Sequence, residues 1–243
     1  EMTSSLVGSE MCIRDRNSLW YDEYDEQYHD IMKRKGAFSM QNYVITITRQ
    51  FGSRGRDIGV AAAKKLGIPL YDRNVLEKEA EEIDSTLHSL VEFSKNGMSE
   101  SGYYKMAYPL GIGSALKKDR MFELQSKLVL KHAESENCVI IGRCADYLLR
   151  ERENVIRCYI FAPYQARIRN SIMTLGLANA EPQRIIEEVD KARAEYYRSH
   201  TGCEVNNTRY RDLFLNSNLL GVEGTADLIV DAVRRKFGLP EEK

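Results

Sequence analysis

Hydrophobic and polar positions along the chain fall into short apolar runs separated by amphipathic stretches. Residues 43–48 (YVITIT) are apolar and β-branched, the pattern of a strand covered on both faces. A glycine-containing turn follows, then DIGVAAAKKLG (57–67), where Ile58, Val60, Leu66 and the alanines give an apolar helix face that Gly67 ends. Residues 68–72 (IPLYD) predict a short strand with Pro69 near its start, and 73–84 (RNVLEKEAEEID) an amphipathic helix. Over 85–118 no period is legible, and the Gly, Ser and Tyr content reads as a mobile loop between helices. Helical spacing returns in 119–136, where Met121, Phe122, Leu124, Leu128 and Val129 share a face.

The second half repeats the alternation. CVIIG (138–142) predicts a buried strand, followed by the polar turn GRCAD and a helix over 146–152 (DYLLRER). VIRCYIFA (155–162) predicts a further strand, and 163–176 a helix with Pro163 in its first turn. A long charged helix over 181–202 carries basic residues in its second half; a last strand (212–217, DLFLNS) and a closing amphipathic helix (222–238) complete the pattern. Strands alternating with helices predict an α/β domain with a mainly parallel sheet and right-handed crossovers.

Composition narrows the partners. The formal net charge is −1, which argues against nucleic-acid and membrane-surface binding, because both call for a basic excess. No apolar run approaches the ~20 residues that cross a bilayer. The five cysteines (Cys12, Cys138, Cys144, Cys158, Cys203) form no CxxC pair, so a reducing, cytoplasmic setting without a zinc site is expected. Residues 1–39 look foreign to the rest. SSLVGSEMCIRDR lacks a signal peptide's apolar core and reads as a non-native scar, and the tyrosine-rich stretch after it reads as an exposed helix or disorder. The natural chain is expected to start at Met40.

In open α/β sheets ligands bind beyond the carboxyl ends of the strands. There the first strand leads to Arg49, Gly52, Ser53, Arg54, Gly55 and Arg56, the second to Asp72 and Arg73, and the third to Gly142, Arg143 and Asp146. Arg167 and Arg169 lie on the helix after the fourth. One such arginine is ordinarily a solvated surface charge, but several on one edge suit phosphate, which a guanidinium grips bidentately. The turn TRQFGSRGRDIG (48–59) misses the GxxxxGK[ST] pattern: Gln50 stands for the first glycine, Arg56 for the lysine and Asp57 for the Ser/Thr that binds Mg²⁺. Gly52 and Gly55 still permit close backbone approach, and Arg56 still supplies a positive charge.

YVITITRQFGSRGRDIG, CVIIGRCADYLL, DKARAEYYRSHTG and YRDLFLNSNLLGVEGTADLI together resemble the cytidylate kinase-like family, over about residues 41–235. The resemblance implies a three-layer P-loop NTPase-like fold with a five-stranded parallel sheet, as one domain over 40–243. A helical monophosphate-binding insert (about 74–136) and a lid (about 176–205) would belong to it. It implies ATP and Mg²⁺ as cofactors and a small nucleotide substrate, most simply CMP. Gly52, Ser53, Arg54, Gly55, Arg56, Asp57 and Arg167 would receive the ATP phosphates, and Asp72, Arg73, Gly142, Arg143 and Asp146 the monophosphate. Arg56, Lys191 and Arg193 would neutralise the transferring group. Arg54 stands where the family favours glycine and Ile141 where cytidylate kinases proper carry aspartate, which leaves the Mg²⁺ ligand unassigned, with Asp57 a candidate and Asp72 a second. Nucleotide binding without turnover and a kinase with a non-nucleotide acceptor stay open. So does the oligomeric state.

Overall fold

A computed structural model of the chain describes residues 42–88, 109–110, 114–175 and 181–240. The expectations for residues 1–39, and those for most of 85–118, lie outside the described residues. Among the described residues there are five strands: β1 (Val44–Arg49), β2 (Leu70–Tyr71), β3 (Cys138–Ile141), β4 (Val155–Phe161) and β5 (Leu213–Asn216). All pair in parallel in the order β2-β3-β1-β4-β5. The helices are α1 (Gly55–Leu66), α2 (Arg73–Ile83), α3 (Ala115–Ser135), α4 (Ala145–Leu148), α5 (Tyr164–Leu175), α6 (Pro182–Thr201) and α7 (Ser217–Phe237). The result is the three-layer P-loop NTPase-like fold, with a five-stranded parallel sheet, that the family resemblance implies.

Alternation along the strands builds the layers. Ile45, Ile47, Val139, Ile141, Cys158 and Ile160 face one side and pack on α1 and α7. Val44, Cys138, Ile140 and Val155 face the other and pack on α2, α3 and α4. Gly59 lets α1 lie close on the sheet, since a Cβ there would stand 3.0 Å from both Ile47 and Ile141. β1 lies at the centre between β3 and β4, so ligands are expected where its carboxyl end opens between the two.

Several boundaries differ from the sequence reading for identifiable reasons. The strand expected over 68–72 shrinks to two residues, because Asp72 leaves the sheet to cap α2 with its carboxylate on the N–H groups of Asn74 and Val75. The helix expected from 119 starts at Ala115, capped by Ser114. The helix expected over 146–152 stops after one turn, because Arg157 Nη2 collects the carbonyls of Leu149, Arg150 and Arg152. α7 starts at Ser217 instead of 222 and breaks its helical geometry at Gly221, which has φ 67.

Candidate active site

Residues 50–54 turn sharply between β1 and α1. Gly52 (φ +74) packs so tightly on α5 that a Cβ would stand 2.7 Å from the Arg167 carbonyl oxygen. Arg54 is also left-handed (φ 59), a conformation that glycine adopts at lower cost. Its side chain points outward and pairs with Asp57 at 3.0 Å, both partners exposed, so it leaves the mouth of the turn uncovered. No side chain caps the first turn of α1. Its leading N–H groups and the positive end of the helix dipole are therefore available to an anion. Ser53 is fully buried and its hydroxyl donates back to the Gln50 carbonyl at 2.8 Å.

The turn is held from behind by α5 and α6. Asp190 accepts the Phe51 N–H at 2.7 Å with one oxygen and pairs with the Arg167 guanidinium through the other. Arg167 also donates to the Phe51 carbonyl at 2.7 Å, and Asn170 to the Gly52 carbonyl at 2.8 Å. Phe51 packs with Ile185, Ile186 and Val189 of α6. Arg167 thus braces the turn from below.

The third strand ends in a second tight turn. Gly142, Arg143 and Cys144 all have positive φ (74, 57 and 55). Arg143 is buried and donates through Nη1 to the Pro109 carbonyl at 2.8 Å and to Gln125 at 3.3 Å. Its Cζ lies 5.4 Å from the centre of the Tyr196 ring. Phe122 and His200 stack beside this group at 3.7 Å between ring centres. Burial, with the Arg143 charge adding to it, pushes His200 down to about 4.

Arg49 connects the two turns. Its stem runs under Gly55, where a Cβ would stand 2.7 Å from the Arg49 Cβ. Its guanidinium runs under Gly142, where a Cβ would stand 2.5 Å from Nη1. Two glycines thus leave room for one arginine. Among the described residues no carboxylate pairs with it. Burial depresses its pKa well below the usual arginine value, and the charges of Arg193 and Arg143 add to this; Asp72 opposes it and Arg56 contributes further. Burial and the neighbouring Arg143 also bring Arg73 down to about 10, while its partner Glu77 works the other way. Arg193 falls to about 10 through burial, against the pull of Asp190 and with help from Arg143, Arg167 and Arg73. Arg193 also donates to the Arg49 carbonyl at 3.4 Å.

The structure therefore gathers Arg49, Arg56, Arg73, Arg143 and Arg193 at the ends of β1 and β3. Arg56 is tied to Asp72 Oδ2 through Nε at 2.9 Å and Nη2 at 2.8 Å. Burial disfavours the Asp72 anion, yet Arg56 and the N–H groups of Asn74 and Val75 outweigh it and hold its pKa low. Besides Arg54 and Arg167, the expected site residues Lys191 and Asp146 do not join the group. Lys191 is exposed on α6 and, among the described residues, pairs with Glu195 at 3.9 Å. Asp146 is buried, paired with Arg211, and accepts from Tyr197 at 2.9 Å, so it locks α4 to the end of α6. Sequence reasoning placed Arg49 among the strand-end arginines and Asp190 at the head of the DKAR motif but gave neither a role, and it missed Gln125 and His200. A charged residue closing an otherwise apolar strand was the available signal for Arg49.

Mg²⁺ finds no ready ligand set. Among the described residues no group of three His, Cys, Asp or Glu side chains converges. Asp57 is taken up by Arg54, and both oxygens of Asp72 are taken by Arg56 and the α2 backbone. Among the described residues no helix is long and apolar enough to cross a membrane.

The profile of the cytidylate kinase-like family matches residues 44–219, which include both turns and every member of the arginine group. The chain belongs to the cytidylate kinase-like family. Among solved structures, an uncharacterized protein from Eubacterium ventriosum is similar, at 20% identity and a TM-score of 0.61, covering 79% of this chain and 98% of its own. A shikimate kinase from Bacteroides thetaiotaomicron aligns at 17% identity with a TM-score of 0.47, covering 79% and 98%. A shikimate kinase from Acinetobacter baumannii, solved with shikimate, aligns at 13% and 0.46, covering 81% and 95%. No curated protein matched the chain. The family places the chain among kinase-like phosphotransferases.

Proposed function

We propose that this member of the cytidylate kinase-like family transfers the terminal phosphoryl group of ATP to a nucleoside monophosphate, with CMP the first acceptor to test. The observation that carries the reading is the convergence of five arginines from the ends of β1 and β3 and from α1, α2 and α6. Mutually repelling cations in a partly buried site are stabilised by a polyanion, and a pair of phosphorylated substrates is one. Phosphoryl transfer asks mainly for position and for charge on the equatorial oxygens. The α1 turn would seat the donor phosphates on its N–H groups, and Arg143 and Arg73 would hold the acceptor phosphate across the β1–β3 crevice. Arg193 would stand beside the transferring group. Mg²⁺, which the family implies, would screen the phosphates when bound; the described side chains supply it no cage.

That last point favours a second reading, nucleotide binding without turnover. A coupled assay with ATP, Mg²⁺ and CMP, UMP, AMP, GMP or shikimate separates the two. Turnover on a nucleotide supports the proposal; turnover on shikimate alone refutes the acceptor class. Thermal protection by ATP with no acceptor phosphorylated supports binding alone. Arg56→Ala is expected to weaken ATP binding and Arg193→Ala to lower turnover, and equal loss of binding in both would contradict these roles.

A further inference from the structure

Sequence spacing puts Arg56 where a P-loop lysine would stand, but the geometry gives Arg56 another occupation. Two of its nitrogens lie on one oxygen of Asp72, and its side chain is 58% exposed at the helix surface. Much of its charge is therefore answered before any ligand arrives. Arg49 has the opposite character. Among the described residues no carboxylate pairs with it, and the charges of Arg193, Arg143 and Arg56 oppose its own while only Asp72, without an ion pair, favours it.

The other enclosed arginines of this molecule show what a structural arginine looks like here. Arg157 satisfies three carbonyls and reaches Asp212 at 3.3 Å. Arg167 holds the Phe51 carbonyl and Asp190, and Arg211 pairs with Asp146. Each joins elements of the fold through its own donors. Arg49 does not, yet the chain keeps two glycines, Gly55 and Gly142, that leave its path clear.

We infer that Arg49, and not Arg56, is the catalytic cation that contacts the transferring phosphoryl group. The inference rests on the phosphotransferase reading above. Arg49 lies beneath both turns, so a group that leaves the α1 turn for the β3 turn passes its guanidinium. In the step itself an oxygen of the acceptor phosphate attacks the γ-phosphorus and forms the new P–O bond. The bond from the γ-phosphorus to the β–γ bridging oxygen breaks, and its electron pair leaves with ADP. Arg49 donates N–H bonds to the equatorial oxygens throughout and neither gains nor loses a proton. A cation repelled by its arginine neighbours is then a charge set in place before the transition state needs it.

The test compares Arg49→Met, Arg49→Lys and Arg56→Met in the full chain. In phosphate-free buffer Arg49→Met is expected to raise the melting temperature, because it removes a poorly compensated charge. A structural arginine would lower it. The thermal response to inorganic pyrophosphate is expected to weaken about tenfold or more in Arg49→Met, and to be kept in part by Arg49→Lys. With the productive acceptor, kcat is expected to fall about a hundredfold in Arg49→Met, with Arg56→Met acting mainly on KM for ATP. A lower melting temperature with unchanged pyrophosphate response would overturn the inference, as would loss of the folded signal in both Arg49 variants. If wild type turns over no acceptor, the kinase reading fails, while the melting and pyrophosphate readouts still decide whether Arg49 is an anion-contacting residue.

Discussion

Replacing Gly142 by alanine asks whether the path of Arg49 matters, without touching Arg49. Gly142 has φ +74, so alanine there meets a backbone cost of about 1 kcal/mol, which lowers the melting temperature of a domain this size by about 2–4 °C. Its Cβ would also stand 2.5 Å from Arg49 Nη1, well inside the ~3.5 Å of an ordinary contact, so the guanidinium must retreat by about 1 Å. Displacement on that scale at a reacting centre lowers turnover by about a hundredfold. Gly67→Ala supplies the control: its φ is +63, and nothing lies within 4 Å of its Cβ. Thermal unfolding should show similar losses for the two variants. A coupled assay and a pyrophosphate titration should show a defect in Gly142→Ala alone. Equal activity in the two variants, or equal loss, would refute the steric argument that links Gly142 to Arg49.

Asp190→Ala removes the acceptor of the Phe51 N–H and the partner of Arg167 together, so a loss of about 2 kcal/mol is expected, seen as a lower urea midpoint at unchanged slope. Lys191→Ala should change stability by less than about 0.5 kcal/mol, given its exposure and weak pairing; a fall in kcat with KM intact would show that Lys191 moves onto the substrate during turnover. His200 is held neutral in the fold, at about 4, among Arg143, Tyr196 and Phe122, whereas the unfolded chain takes up its proton from about 6.5 downward. Its contribution is complete above pH 6.5 and declines by up to about 1.4 kcal/mol per pH unit as pH falls towards 4. His200→Gln should flatten that part of the stability–pH curve measured by denaturant titration.

The sheet was legible because its signals are local. Residues 44–47, 138–141 and 155–161 are apolar and β-branched enough to read one strand at a time. The helix after β3 was read too long because its terminator, Arg157, lies on the next strand. The same limit applies at the site. Asp190 and Phe51 are 139 positions apart, and nothing in either neighbourhood announces their bond. Lys191 and Arg193 sit in one motif and look alike as letters. Two residues apart on a helix, they point to different sides, and only the packing of α6 on Phe51 decides that Arg193 faces the cluster.

α6 is fastened along most of its length. Ile185, Ile186 and Val189 rest on Phe51, Asp190 holds the same residue's N–H, and Tyr197 is bonded to Asp146 near the far end. A helix fixed in this way behaves as a wall of the site and not as its door. On the proposed reading Arg193 is then already in position when substrates enter, and capture is expected to be governed by long-range attraction. Association should therefore slow steeply as salt rises, since ions screen a field that no closing motion has to build.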